Sequence, residues 1–272
     1  MRALLAPTLA AAAVEILTAA EPAEKIARSL ETAAAWRVGA LPVGTAQPPD
    51  HPARPPAPRL VEPRDVARRR VTRGLAGRVA LLHAVAHIEL NAVDLAWDLI
   101  ARFAAPDLPR QFFDDWVSVA AEEATHHALL AERLQALGTR YGDLPAHDRM
   151  WTAAFNTRHD LLARLAVVPL VLEARGLDVT PAMIARLTAV DDPESAATLQ
   201  RIYDDEVGHV AIGRTWFEHL ATARGLDPAP TWQALVRAHF PGPLKPPFNE
   251  AARARAGFAA AFYQPLAADP KS

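Results

Sequence analysis

The chain is predicted to be all-α: a four-helix bundle preceded by an N-terminal helical hairpin and a proline-rich connector and followed by a C-terminal helical tail. Three observations predict this. Ala, Leu and Arg, residues that helices favour, are abundant in the composition. Apolar residues recur at spacings of three and four through four long segments. The prolines gather between those segments rather than within them. With 272 residues, 51% of them hydrophobic, the chain is long enough to bury a sizeable core.

Taken in order, residues 1–38 read as helices, because the amphipathic pattern runs through Ile16, Ile26 and Leu30 to Trp36. The opening MRALLAPTLAAAAVEI imitates a signal peptide, but Pro7 interrupts its apolar run and Glu15 ends it, so a folded helix is expected. The connector, residues 39–65 with the stretch LPVGTAQPPDHPARPPAPRLVEPRD, is too rich in proline for regular helix or sheet and is expected to wrap the bundle in extended form. The Arg-rich run from Arg64 to Arg78 is read as a solvated loop or helix start rather than a phosphate contact.

Four long helices are then expected at about 73–104, 109–138, 148–176 and 193–224, with a short one at 181–190. Pro106 and Pro109 separate the first two, Gly138 ends the second, and GLDVTP ends the third. A further helix near 230–239, the loop FPGPLKPPFN and a last helix containing Phe258 form the tail. The predicted domains are residues 1–65 (hairpin and connector), 66–225 (bundle) and 226–272 (tail). No uninterrupted apolar stretch of about 18 residues occurs, so no membrane span is expected, and the absence of cysteine suits a cytoplasmic protein. A net charge of −2 gives no overall pull toward nucleic acid.

The chemistry is carried by two Glu-x-x-His pairs, Glu123 with His126 and Glu206 with His209. A lone glutamate precedes each at nearly equal distance: Glu89 lies 34 residues before Glu123, and Glu173 lies 33 before Glu206. Residues three apart share a helix face, so each pair turns a carboxylate and an imidazole toward one point. The positions three, four and seven from Glu89 are Leu82, Val85, Ala86, Ala92, Val93 and Ala96, all apolar, and the other three glutamates sit in similar company. Buried carboxylates need a compensating charge. Four of them balance two divalent cations, with neutral imidazoles completing the coordination.

There is no cysteine, which excludes iron–sulfur clusters, thiolate zinc and disulfides. Mixed carboxylate and imidazole ligation suits two Fe ions first, with Mn/Fe or Mn/Mn pairs as alternatives. Glu122 and Asp205, each immediately before a ligand, are candidates to hydrogen-bond a ligand histidine or, equally, are surface charges. Tyr203, one turn before Glu206, is a candidate redox or orienting phenol as well as a packing residue. His83 and His87 are expected to hydrogen-bond rather than ligate, since His87 lies about 200° around the helix from Glu89. His127 points about 100° away from His126 and is expected outside the ligand set. His147, Asp148 and Trp151 belong to a crossover turn that doubles as a candidate lid, and Lys245, Phe248 and Asn249 to a loop that is a candidate cover.

The segments HAVAHIELNAVDLAWD, DWVSVAAEEATHHALLAERLQALGTRYGDLPAHDRMW, VVPLVLEARGLDVTP and IYDDEVGHVAIGRTWF resemble the bacterial ferritin-like proteins grouped as "domain of unknown function 455". The similarity spans almost the whole chain, including the N-terminal hairpin and the GPLKPPFN tail. Ferritin-like carboxylate proteins ligate two metals with one Glu from each of two helices and a Glu-x-x-His from each of the other two, the set found here. Through that pattern the family is similar to di-iron tRNA hydroxylases that oxidise a modified adenosine. Leu170 departs from the resemblance, standing where the family commonly has Arg, so no contact is carried over at that position.

The expected function is an oxygen-activating di-iron hydroxylase or desaturase. Glu123 and Glu206 would bridge the metals or shift between binding modes, Glu89 and Glu173 would take terminal positions, and His126 and His209 would each complete one ion. A flavin or nicotinamide fingerprint is absent, so an external electron-donor protein or reductant is expected, with a small-molecule or modified-nucleoside substrate. The alternatives are a ferroxidase-type metal-handling protein and a metal-stapled interaction module. The sequence sets no oligomeric state.

Overall fold

A computed structural model describes residues 6–66 and 71–268. The fold is all-α, as the sequence predicts: the described residues form helices and, in place of strands, only isolated bridges at Leu60 with Ala146 and Leu244 with Ala267. They divide into two compact units. The first comprises residues up to Trp151 together with Val190–Ser195, and the second comprises Thr152–Ala189 with Ala196 onward. Arg68, Arg69 and Arg70, the centre of the arginine run, lie outside the described residues, as do the first five residues of the chain.

In the first unit, α1 (Leu9–Thr18) and α2 (Pro22–Arg37) pack against the hairpin of α3 (Leu75–Phe103) and α4 (Arg110–Ala136). Helix α3 is long and apolar enough to cross a membrane by length and composition, although His83, His87, Glu89, Asn91, Asp94 and Asp98 interrupt its apolar run. Its most apolar 18-residue window is, however, 83% buried within the protein, and Glu89, Asp94 and Asp98 are buried along the helix.

The connector lies extended along the first unit, and its carbonyls replace absent helix partners. The N–H groups opening a helix have no acceptor within it. At α1, Thr8 Oγ1 accepts from Ala11 N at 3.1 Å, Pro42 O from Leu9 N at 2.8 Å and Val43 O from Ala10 N at 3.0 Å. Gly44 allows that approach: its φ is +65°, and a Cβ there would lie 2.4 Å from Thr8 Cβ. Farther along, Pro49 O accepts from Arg102 and Asp50 O from Trp151 Nε1, while Arg54 reaches Asn91 Oδ1 at 2.7 Å and Asp148 Oδ1 at 2.9 Å. Lys25 on α2, 1% exposed, pairs with Asp94 on α3, also 1% exposed.

The residues entering α8 (Pro193–Ala223) belong to this unit too. Asp192 accepts from Ser195 N at 3.1 Å, from Arg133 at 2.7 Å and from Arg78 at 3.0 Å. Burial opposes the charge of Asp192, but the bonds from Ser195, Arg133 and Arg78 outweigh it and hold the carboxyl below the usual range. A carboxylate with a lowered folded pKa contributes stability that is present above its ordinary value of 3.8 and lost as pH falls through the lower folded value. Asp192→Asn is therefore expected to cost about 1–3 kcal/mol at pH 7. The loss should shrink as pH falls below 3.8, measured by urea unfolding across that range; an equal loss at every pH would refute the assignment.

In the second unit the expected third helix is three pieces: the end of α5 (Arg149–Asn156), α6 (Leu161–Val167) and a π-helical segment (Val168–Glu173). Asp160 caps α6, accepting from Leu162 N at 3.1 Å. Pro169 enters the π segment, where the wider turn leaves carbonyls to other donors, and Trp232 Nε1 of α9 (Pro228–His239) supplies Ala166 O at 3.0 Å. Next, α7 (Ala174–Ala189) runs straight through Pro181, where the sequence predicts a stop. Pro181 strips Leu177 O of its helical donor, and Asn249 Nδ2, from the tail, replaces it at 3.1 Å. The tail continues as α10 (Glu250–Arg255) and α11 (Ala260–Tyr263), with Phe258 and Phe262 edge-on to Trp232.

Gly213 on α8 lets the π segment come close: a Cβ there would sit 2.3 Å from Pro169 Cβ and 2.6 Å from its Cγ. Alanine is the better helix former by about 1 kcal/mol. Overpacking against a proline ring held by its own helix should still prevail, so Gly213→Ala is expected to lose about 1–3 kcal/mol. A urea midpoint at or above that of the wild type would contradict the contact.

Candidate metal centre

In the first unit, α3 presents Glu89, and α4, one turn apart on its buried face, presents Glu123 and His126. Glu89 is 3% exposed, and Glu123 and His126 are 0% exposed. One donor atom from each lies within 4.8 Å of the others, a separation that a single cation can bridge. His126 Nδ1 stands 3.2 Å from Glu89 Oε2 and 3.5 Å from Glu123 Oε2, so one nitrogen faces both carboxylates.

The electrostatics follow from burial and proximity. Burial first, and then the Glu123 charge, push the Glu89 carboxyl well above its usual range, although His126 opposes them. For His126 burial alone would favour the neutral ring, but hydrogen bonds and charge from Glu123 and Glu89 prevail and raise it to about 11. Two acids and one base crowded out of water hold positive charge wherever they can find it. A cation suits the same donors, and the three residues form a group able to hold a metal ion.

The second unit carries the other three sequence candidates, which repeat the first three in residue type. Glu173 closes the π segment, and Glu206 and His209 lie one turn apart on α8, with His209 Nδ1 3.7 Å from Glu206 Oε1. Glu173 and Glu206 are each 9% exposed and His209 0%. π-helical turns occur mostly as local bulges and often at functional sites, because the extra residue re-aims a side chain. Here the bulge ends on the ligand candidate itself.

The remaining candidates have identified neighbours. Glu122 accepts from Ser118 at 3.3 Å, and Asp205 accepts from Arg201 at 2.7 Å. The Tyr203 hydroxyl accepts from Asn249 Nδ2 at 3.0 Å. His83 Nε2 accepts from the backbone of Gly142 and Leu144, while His87 bonds Tyr141 Oη at 2.8 Å and His147 O at 3.1 Å. His127 Nδ1 bonds Ala86 O at 2.9 Å. His83 and His87 thus fasten the loop after α4 to α3, the hydrogen-bonding role expected of them. Burial and the Arg54 charge keep His87 neutral, lowered to about 3.

The sequence reading missed Tyr141, which stacks on His83 and His87 and meets His127 edge-on. It also missed the buried network of Lys25, Arg54 and Asp94. Asp94 on the apolar α3 was the available signal, since a buried acid implies a partner.

Fold and donors together define an all-α protein with buried, paired carboxylate and imidazole groups of the kind that hold hard or borderline divalent metals. The chain belongs to the family described as "Protein of unknown function (DUF455)", whose model matches residues 18–264. A protein of Haemophilus influenzae, described as "Uncharacterized protein", is 42% identical over 209 residues, covering 75% of this chain and 72% of its own length. No solved structure matches.

Proposed function

We propose that the protein is a di-iron carboxylate oxidoreductase of the ferritin-like kind, an oxygen-activating hydroxylase or desaturase. The observation that carries this reading is the buried trio of Glu89, Glu123 and His126, repeated in residue type and spacing by Glu173, Glu206 and His209. The six residues together would hold two ions. The oxygen-only carboxylates and the imidazoles suit iron or manganese, and four carboxylates neutralise two divalent charges.

Bound iron would supply activation of dioxygen. The chain's residues fix coordination, exclude water and hold protons, and the burial of all six candidates supports those roles. Hydroxylation sends one oxygen atom into the substrate C–H bond and the other to water. Desaturation removes two hydrogens and sends both oxygens to water. Either reaction takes two electrons and two protons from outside, so an electron-donor protein or small reductant is part of the proposal, together with an organic substrate.

The test is metal content joined to oxygen reactivity. Protein from iron-supplied cells should contain two irons per chain. After anaerobic reduction, admitted oxygen should be consumed with a transient change in the visible spectrum. Zinc, a single metal or indifference to oxygen would overturn the reading, and rapid iron oxidation with iron release and no substrate demand would replace it with metal handling.

A further inference from the structure

The C-terminal tail reaches back in the second unit to the two helix turns that flank the candidate ligands. Arg253, 3% exposed, donates through Nε to Asp178 Oδ1 at 2.9 Å and through Nη2 to Asp178 Oδ2 at 2.8 Å, and Nη2 also lies 3.4 Å from Ala174 O. Ala174 is the residue after Glu173. The guanidinium is packed among aromatic rings, 4.9 Å from the centre of Phe248, 5.5 Å from that of Phe258 and 4.4 Å from that of Tyr263. Such a two-pronged, stacked guanidinium fixes direction as well as charge.

Asn249 carries the second half of the attachment. Its N–H donates to Asp178 Oδ1 at 2.9 Å, and its Oδ1 accepts from Ala252 N at 3.1 Å. Its Nδ2 donates both to Leu177 O, the carbonyl that Pro181 leaves without a helical donor, and to the Tyr203 hydroxyl at 3.0 Å. Tyr203 lies one turn before Glu206. One amide group therefore ties α7 just after Glu173 to α8 just before Glu206. Arg175 adds a bond to Lys245 O at 2.7 Å.

We propose that Asn249 and Arg253 are positioning residues for the candidate metal ligands Glu173 and Glu206, holding the turn after Glu173 and the turn before Glu206 in one register. The inference rests on the metal-centre reading above. Glu173 stands at the junction of a π turn and an α-helix, where rotation is least constrained by regular hydrogen bonding. Metal sites tolerate about 0.5 Å of donor displacement, and groups acting on ligands from behind typically change affinity about 10–100-fold.

The test is titration of the metal-free full chain with cobalt(II), read by its visible absorption, in the wild type, Asn249→Ala, Asp178→Asn combined with Arg253→Met, and Glu206→Ala. The double variant removes both buried charges so that neither is left alone. The wild type should take two ions. Asn249→Ala and the double variant should bind one ion about 10–100-fold more weakly, with an altered absorption band even at saturation. The other ion should bind unchanged, and circular dichroism should show the same helicity. If Glu206→Ala loses an ion while the Asn249→Ala and double-variant isotherms and saturated spectra overlay the wild type, the tail only fastens the fold and the inference fails alone. A wild type that takes no cobalt removes the metal-centre reading, and this inference with it.

Discussion

Glu123→Ala is expected to strip at least one metal ion from each chain while leaving the protein largely helical, and His209→Ala should do the same. Glu123 is completely buried, and its neighbours within metal-bridging distance include Glu89 and His126. Removing one of the clustered donors should weaken binding by more than the roughly 10–100-fold typical of groups behind the ligands. Metal per chain, measured after dialysis against a weak chelator, checks this directly, and unchanged content in both variants would end the ligand assignment. A conservative variant adds a test of opposite sign. Glu123→Gln keeps the volume but removes one of two crowded carboxylates, so the metal-free variant should unfold at higher urea than the metal-free wild type. With metal supplied, the order should reverse.

Lys25→Met should cost about 3–5 kcal/mol, because it leaves the Asp94 carboxylate buried with its nearest cation gone. Burial already raises the Asp94 carboxyl, while Lys25 and Arg54 act to hold it ionised. Arg54 is no substitute, since its Nη1 stands 4.0 Å from Asp94 Oδ2 and its Nη2 is engaged by Asn91 and Asp148. Lys25→Met with Asp94→Leu should recover most of the loss, as replacing a buried ion pair by apolar groups of similar volume is often neutral or better. Urea unfolding of the two single variants and the double one closes the cycle. A single-variant loss below about 1 kcal/mol would mean that the pair is solvated in solution.

Periodicity revealed α3 and α4 because apolar residues recur along both at helical spacing, and Glu-x-x-His spacing revealed the donors because helical neighbours are set by local geometry. What escaped depends on distant residues. Pro181 reads as a helix stop until Asn249 takes the carbonyl it exposes. Pro169 reads as an ordinary break until the π turn and Trp232 accommodate it. The partners of Lys25 and Arg54 could not be inferred from local pattern, because Asp94 and Asp148 are brought to them only by tertiary packing.

The connector also imposes an order in time. Its Asp50 carbonyl meets Trp151, 101 residues later, and Arg54 meets Asn91 and Asp148, 37 and 94 residues later. On a ribosome those partners emerge long after the connector has left the exit tunnel. The connector's bonds to α1, which precedes it, can therefore form first, while its bonds to Asp148 and Trp151 wait until those late-made anchors arrive.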